Sequence, residues 1–126
     1  MLTAGDIRQL AGLFEGEGSF MLDKGRSAKI SIASTDRDVM DWVSGLIHLP
    51  VHGPYSNTKG FTPKAKPLYV INSTGAVAAG LMMTLYPFMG IRRKEKIHSV
   101  LTEWRKYTPT LHSINRTWGG WNGRSL

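Results

Sequence analysis

Cysteine is absent from the 126 residues, which excludes a disulfide scaffold and every thiolate metal site, including the common structural zinc sites. The four histidines do not replace it. His48 and His52 fall in a predicted turn and His98 on a predicted helix, and no pair has a convincing ligand spacing. Long hydrophobic runs are missing as well: none approaches the ~20 residues of a membrane span. The opening MLTAGDIRQL lacks the basic-then-apolar order of a secretion signal. The expectation is a soluble, intracellular protein, either cytoplasmic or organellar. Acidic residues are scarce, nine Asp and Glu against sixteen Lys and Arg, which leaves a formal net charge of +7 and a pI near 10.0. Such an excess on a small body favours a polyanionic partner, either nucleic acid or an anionic membrane surface. Charge alone does not choose between them, although the basic residues are spread over predicted strands and loops rather than along one amphipathic helix, which speaks against a membrane.

What is present suffices for one core. The chain is 41% apolar and 20% charged, too hydrophobic for a disordered segment and short enough for a single domain. Thr3 to Glu17 reads as a helix, with Ile7, Leu10, Ala11, Leu13 and Phe14 at helical spacing behind a Thr3 cap. A hairpin follows, with strands at about Ser19–Asp23 and Ala28–Ala33 around the turn Lys24-Gly25-Arg26-Ser27. Thr35 and Asp38 resemble a capping box for a second helix whose stripe is Val39, Trp42, Val43, Leu46 and Ile47 and which Pro50 ends. Two further strands are predicted near Val51–Tyr55 and Leu68–Asn72. Thr74 is placed as the cap of a helix through Leu85, interrupted at Tyr86-Pro87, and a last helix begins at Ile91 with Ile97, Val100, Leu101 and Trp104 on its apolar side.

Helix, hairpin, helix, hairpin, helix, helix is an α+β order: one four-stranded, mostly antiparallel sheet with helices on one face. The other face is then open and basic, bearing Lys24, Arg26, Lys29, Lys64 and Lys66. Residues 1–108 make up the domain, and 109–126, with Trp118 and Trp121, a basic tail.

The most informative segment is Leu10-Ala11-Gly12-Leu13-Phe14-Glu15-Gly16-Glu17-Gly18. Gly12 and Gly16 lie one turn apart, so one helix face carries almost no side-chain bulk and admits another helix at backbone distance. Each interior glycine costs about 0.8 to 1.0 kcal/mol relative to alanine, for which a close contact is a reasonable compensation. That contact is either inside the domain or with a second copy. Glu17 comes at the C-terminal end of the helix, where the macrodipole is negative and a carboxylate calls for a cation. Two copies paired through the glycine face bring two Glu17 carboxylates together, and a hard cation such as Mg²⁺ relieves their repulsion. Two acids and a metal beside a basic sheet are equipment for phosphodiester hydrolysis.

At these residues the sequence resembles the LAGLIDADG family of homing endonucleases and related intron maturases. Leu10-Ala11-Gly12-Leu13 and Gly18 match the motif, Phe14 stands for Ile, Glu15 and Glu17 for the two Asp, and Gly16 for Ala. Ser19-Phe20 and the later segment Tyr86-Pro87-Phe88-Met89-Gly90-Ile91-Arg92-Arg93-Lys94 also look like the family's, so the resemblance covers about residues 5–106.

The resemblance implies a saddle-shaped sheet in the DNA major groove (αββαββα), and, with a single motif in the chain, a homodimer on a palindromic or near-palindromic target. The motif helices meet at the two-fold axis, through Ala11, Gly12, Glu15 and Gly16, and the Glu15 side chain is expected to face solvent or make a structural pair. Glu17 matches the family's metal-binding acid, with Gly18 beside it, and the ion implied is Mg²⁺ or, in the same site, Mn²⁺ or Ca²⁺; no organic cofactor is implied. Arg92 corresponds to a basic residue near the catalytic centre. Arginine cannot serve as a base, so its part is electrostatic. Ser34 falls where some members carry Gln. Strand alternation sends Met21, Asp23, Lys29 and Ser31 toward DNA, with Lys24 and Arg26 reaching out from the turn. Ser34, Lys59, Lys64, Lys66, Arg93 and Lys94 complete the expected DNA contacts, mostly to phosphates. A non-cleaving nucleic-acid binder, whether maturase-like or a DNA-binding regulator, is the alternative that keeps this fold without the chemistry.

Overall fold

The computed structural model describes residues 2–56 and 66–107. Lys59, Lys64 and the tail with Trp118 and Trp121 lie outside the described residues. The elements are α1 (Ala4–Glu17), β1 (Gly18–Asp23), β2 (Ser27–Ser34), α2 (Arg37–Ile47), β3 (His52–Tyr55), β4 (Leu68–Thr74), α3 (Ala76–Leu85), a 3-10 turn at Tyr86–Phe88, and α4 (Ile91–Tyr107).

The four strands pair antiparallel in the order β1-β2-β4-β3. Direct partners share a sheet face, so the register sorts the side chains. Gly18, Phe20 and Leu22 of β1 face the same way as Ile32, Ile30 and Ala28 of β2, and Ile71 of β4 lies opposite Ile32. The fully buried strand residues all have this parity, and they meet Leu10, Phe14, Met40, Val43, Met82, Leu85, Ile97 and Val100 from the four helices. Helices therefore cover one face, and the alternate residues form the open face, as the hydrophobic alternation implies.

Local chemistry sets the helix starts. Thr3 caps α1 in a full capping box: Asp6 N–H donates to Thr3 Oγ1 at 3.0 Å, and Thr3 N–H donates to Asp6 Oδ2 at 3.1 Å. The two other caps differ from the sequence expectation. Asp36, not Thr35, caps α2, accepting the Val39 N–H at 3.3 Å. Asp36→Ala should therefore cost about 1 kcal/mol in chemical denaturation, whereas Thr35→Ala should cost little. Thr74 belongs to β4, and Gly75 begins α3 with φ +76° and ψ −144°, a conformation suited to glycine, donating its N–H to Ala28 O at 2.8 Å. Helix α2 also ends before Pro50, at His48 in the left-handed region.

Candidate nucleic-acid interface and active site

Helix α1 runs directly into β1 with no loop between them: Glu17 is the last helical residue and Gly18 the first of the strand. Gly18 is extended at φ −87°, a conformation open to any residue, and its N–H donates to Phe14 O. The need for glycine here is one of space. A Cβ on Gly18 would fall on the Phe14 ring and lie 2.9 Å from the Phe14 carbonyl oxygen. The Phe14 and Phe20 rings stack beneath this junction with centroids 6.0 Å apart.

The two acids of the motif separate cleanly. Glu15 is tied to α4: its Oε1 accepts the Gly90 N–H at 2.7 Å, at the helix N-terminus where a carboxylate is favoured. Its Oε2 lies 3.7 Å from Arg93 Nε. Glu15 therefore ties α1 to α4 within its own domain, with its side chain still 42% exposed. Glu17 is exposed and makes no ion pair or side-chain hydrogen bond among the described residues.

Arg93 departs most from expectation. Its side chain is only 18% exposed. Nη1–H donates to Gly18 O at 2.8 Å and Nη2–H to Glu15 O at 2.9 Å, and the guanidinium carbon sits 5.7 Å from the centroid of the Phe20 ring. The buried Nε–H has no hydrogen bond, and 3.7 Å to Glu15 is an electrostatic contact. Arg93 is thus an internal cation at the negative end of α1, not a DNA contact. The same bond occupies one lone pair of the Gly18 carbonyl, so a metal ion held there would share that oxygen with the Arg93 guanidinium. Lys94 stacks on Tyr86, with Nζ 5.6 Å from the ring centroid, so it packs within the helical layer. Arg92 is exposed at the start of α4, one residue before Arg93, and makes no side-chain hydrogen bond or ion pair among the described residues.

Of the residues expected between copies, Ala11 is 2% exposed and belongs to the core. Gly12 and Gly16 are exposed, and a Cβ built on either meets nothing within 4 Å. The bare face is therefore not packed inside the described domain. Beside it a groove of about 410 Å³ opens between α1 and α2, lined by Gln9, Gly12, Leu13, Asp38, Val39 and Trp42.

On the open sheet face the register places Ser19, Met21 and Asp23 of β1 beside Ser31, Lys29 and Ser27 of β2. Lys24, Gly25 and Arg26 form the exposed turn, closed by Arg26 N–H on Asp23 O at 3.2 Å, with Lys24 and Gly25 at positive φ. Lys66 is exposed ahead of β4. Ser34 does not belong to this face. Its parity is that of Ile30 and Ile32, it pairs with Tyr69, and its Oγ accepts the Asp36 N–H at 3.0 Å. Arg37 covers that corner, 5.1 Å from the Tyr69 ring centroid, and its hydrogen bond to Asp41 holds it above the ordinary guanidinium range. The sequence reading missed the far half of the open face: Asn72 and Thr74 of β4, and His52 and Tyr55 of the edge strand β3. Alternation in β4 was the available signal, but Ile71 alone anchors its phase.

An open antiparallel four-stranded sheet, helices on its other face and a helix that delivers an acid at the first strand together make the fold of the LAGLIDADG homing endonucleases. Among solved structures, the chain is similar to the homing endonuclease I-CvuI in complex with its target in the presence of calcium, with a TM-score of 0.52 at 10% identity over 77% of this chain and 66% of that one. It is also similar to an archaeal intron-encoded homing endonuclease, I-Vdi141I, complexed with DNA, with a TM-score of 0.53 at 15% identity over 91% of this chain and 70% of that one. A second I-CvuI structure, with magnesium and uncleaved DNA, gives 0.51 at 10% identity over 75% and 63%. The chain spans just under two thirds of I-CvuI. No protein-family model and no curated protein matches the sequence.

Proposed function

We propose that the chain is a divalent-metal-dependent, site-specific double-strand DNA endonuclease that works as a homodimer on a palindromic or near-palindromic target. The observation that carries this reading is Glu17, a carboxylate with no partner among the described residues, at the end of a helix whose glycine face the described domain leaves bare. Similar folds are complexed with DNA in the I-CvuI and I-Vdi141I structures, which supports a duplex as the ligand of the open face.

The donor set fits a shared magnesium site. Among the described residues no three His, Cys, Asp or Glu side chains cluster to make a cage within one copy. Mg²⁺ characteristically takes one or two carboxylates, waters and substrate phosphates, and one Glu17 from each copy meets that need. When bound, such an ion lowers the pKa of an attacking water and stabilises charge on the phosphate. Glu17 holds and orients the ion's site. Arg92, an exposed permanent cation in the first turn of α4, is assigned the electrostatic role of supplying positive charge toward the scissile phosphate. Lys24, Arg26, Lys29 and Lys66 attract the backbone, so affinity should fall steeply with salt. Met21, Asp23, Ser31, Asn72 and Thr74 are left to meet base edges.

The deciding experiment is selection of cleaved sites from a randomised duplex library in Mg²⁺ and in EDTA. Recovery of a two-fold symmetric site in Mg²⁺ alone is expected. Binding without any metal-dependent break would favour the non-cleaving reading instead. Dimerisation has its own test. Gly12→Arg should leave the thermal midpoint of the dilute, monomeric chain nearly unchanged, since nothing in the described domain occupies that space, while analytical ultracentrifugation at higher concentration reports loss of the dimer. A wild-type chain that remains monomeric on its selected duplex would refute the paired arrangement.

A further inference from the structure

The two backbone carbonyls that Arg93 binds belong to residues 15 and 18, on either side of Glu17. One lies in the last turn of α1 and the other opens β1, so a single planar fork spans the helix-to-strand bend. Guanidinium geometry fixes the separation of two acceptors in a way that an ammonium cannot. Glu17 itself has no side-chain bond among the described residues, so what the fold fixes is its backbone and the direction of its Cα–Cβ bond. Two further contacts hold the fork in place: Glu15 accepts from Gly90 at the start of α4 and faces Arg93 Nε, and the Phe20 ring lies against the guanidinium.

We infer that Arg93 is a positioning residue for Glu17: its bonds to the Glu15 and Gly18 carbonyls fix the backbone at the end of α1 and so the direction in which the Glu17 Cα–Cβ bond leaves it. The inference rests on the reading of Glu17 as the metal-holding acid. A carboxylate that must meet an ion, a phosphate and its twin in the second copy has to be held to a fraction of an ångström. An isolated side chain at a frayed helix end does not meet that demand. Arg93 supplies the restraint from inside and leaves the Glu17 oxygens unoccupied.

The test compares wild type, Arg93→Lys and Glu17→Gln as full-length chains on the selected duplex. Two quantities are read: amide hydrogen exchange residue by residue, and Mn²⁺ affinity by electron paramagnetic resonance. Arg93→Lys keeps the charge and loses the fork. Exchange at Gly16, Glu17 and Gly18 should then rise by about tenfold while β2 and β4 change less than about twofold, the mark of a local opening. Mn²⁺ affinity should fall by about tenfold, in the range found when a residue that orients a metal ligand is lost. If Arg93→Lys does not fold, Glu15→Gln gives a milder version: it keeps an acceptor for Gly90 and removes the charge facing Nε, with about threefold changes expected in both readouts.

Unchanged exchange at residues 16–18 overturns the inference. So does faster exchange with wild-type Mn²⁺ affinity, which would make Arg93 a structural tie and nothing more. Equal Mn²⁺ binding by wild type and Glu17→Gln is a different failure: it removes Glu17 from the metal site, and the positioning role falls with it, whatever Arg93 does to the backbone.

Discussion

Glu17→Gln is expected to abolish DNA cleavage while leaving the fold and duplex affinity close to wild type. The substitution is isosteric, and the wild-type carboxylate gives up no internal bond among the described residues, so stability has little to lose. The charge is what changes. A neutral amide is a weak ligand for a hard cation. Losing a term worth several kcal/mol corresponds to a fall in rate of at least about 10³-fold. Cleavage of the selected duplex under single-turnover conditions measures the rate, and a gel-shift titration in Ca²⁺ measures binding. Nicking at the wild-type rate would refute the assignment. Glu15→Gln is the informative companion, because that acid is engaged with Gly90 and Arg93. Its effect should appear first as a lower thermal midpoint.

Gly18→Ala should be the most destabilising single-methyl change in the motif. The added carbon would lie 2.9 Å from the Phe14 carbonyl oxygen and on the Phe14 ring, which is itself stacked on Phe20. Ring and backbone must both give way, and overpacking of this kind costs about 1–3 kcal/mol or more. For a domain of this size that lowers the midpoint by about 5–20 °C. Gly16→Ala, two residues earlier, should do the opposite. Within a single copy its Cβ meets nothing within 4 Å, so at dilutions that keep the chain monomeric it should gain about 0.8–1.0 kcal/mol of helix propensity. Thermal denaturation of the two variants side by side checks both signs, and equal midpoints would place the Phe14 ring elsewhere.

The legible parts of this protein were those written in local periodicity. The motif helix with its Thr3 cap, the Lys24-Gly25 turn, the alternation of Ile30 and Ile32 and the stripe of α4 each depend on residues within a few positions of one another, and short-range spacing encodes them directly. Charge was legible in amount and not in assignment. Arg92, Arg93 and Lys94 read as one basic cluster in the sequence, yet one is exposed, one is buried against α1 and one lies on Tyr86. On a helix consecutive residues point about 100° apart, and which of those directions meets α1 depends on how α4 docks.

The sequence by itself determined the elements, the phase of the first hairpin and the presence of two acids at a glycine-faced helix end. Tertiary structure alone decided which groups Glu15 engages while Glu17 stays out in solvent, that Arg93 grips the α1 to β1 bend, that Ala11 is core, and that Asn72 and Thr74 join the open face. Each of these depends on a contact or a register between segments some 40 to 78 residues apart, or on which side of an element the rest of the chain covers. Such long-range pairings come from the packing of a common core, and no window of neighbouring residues encodes them.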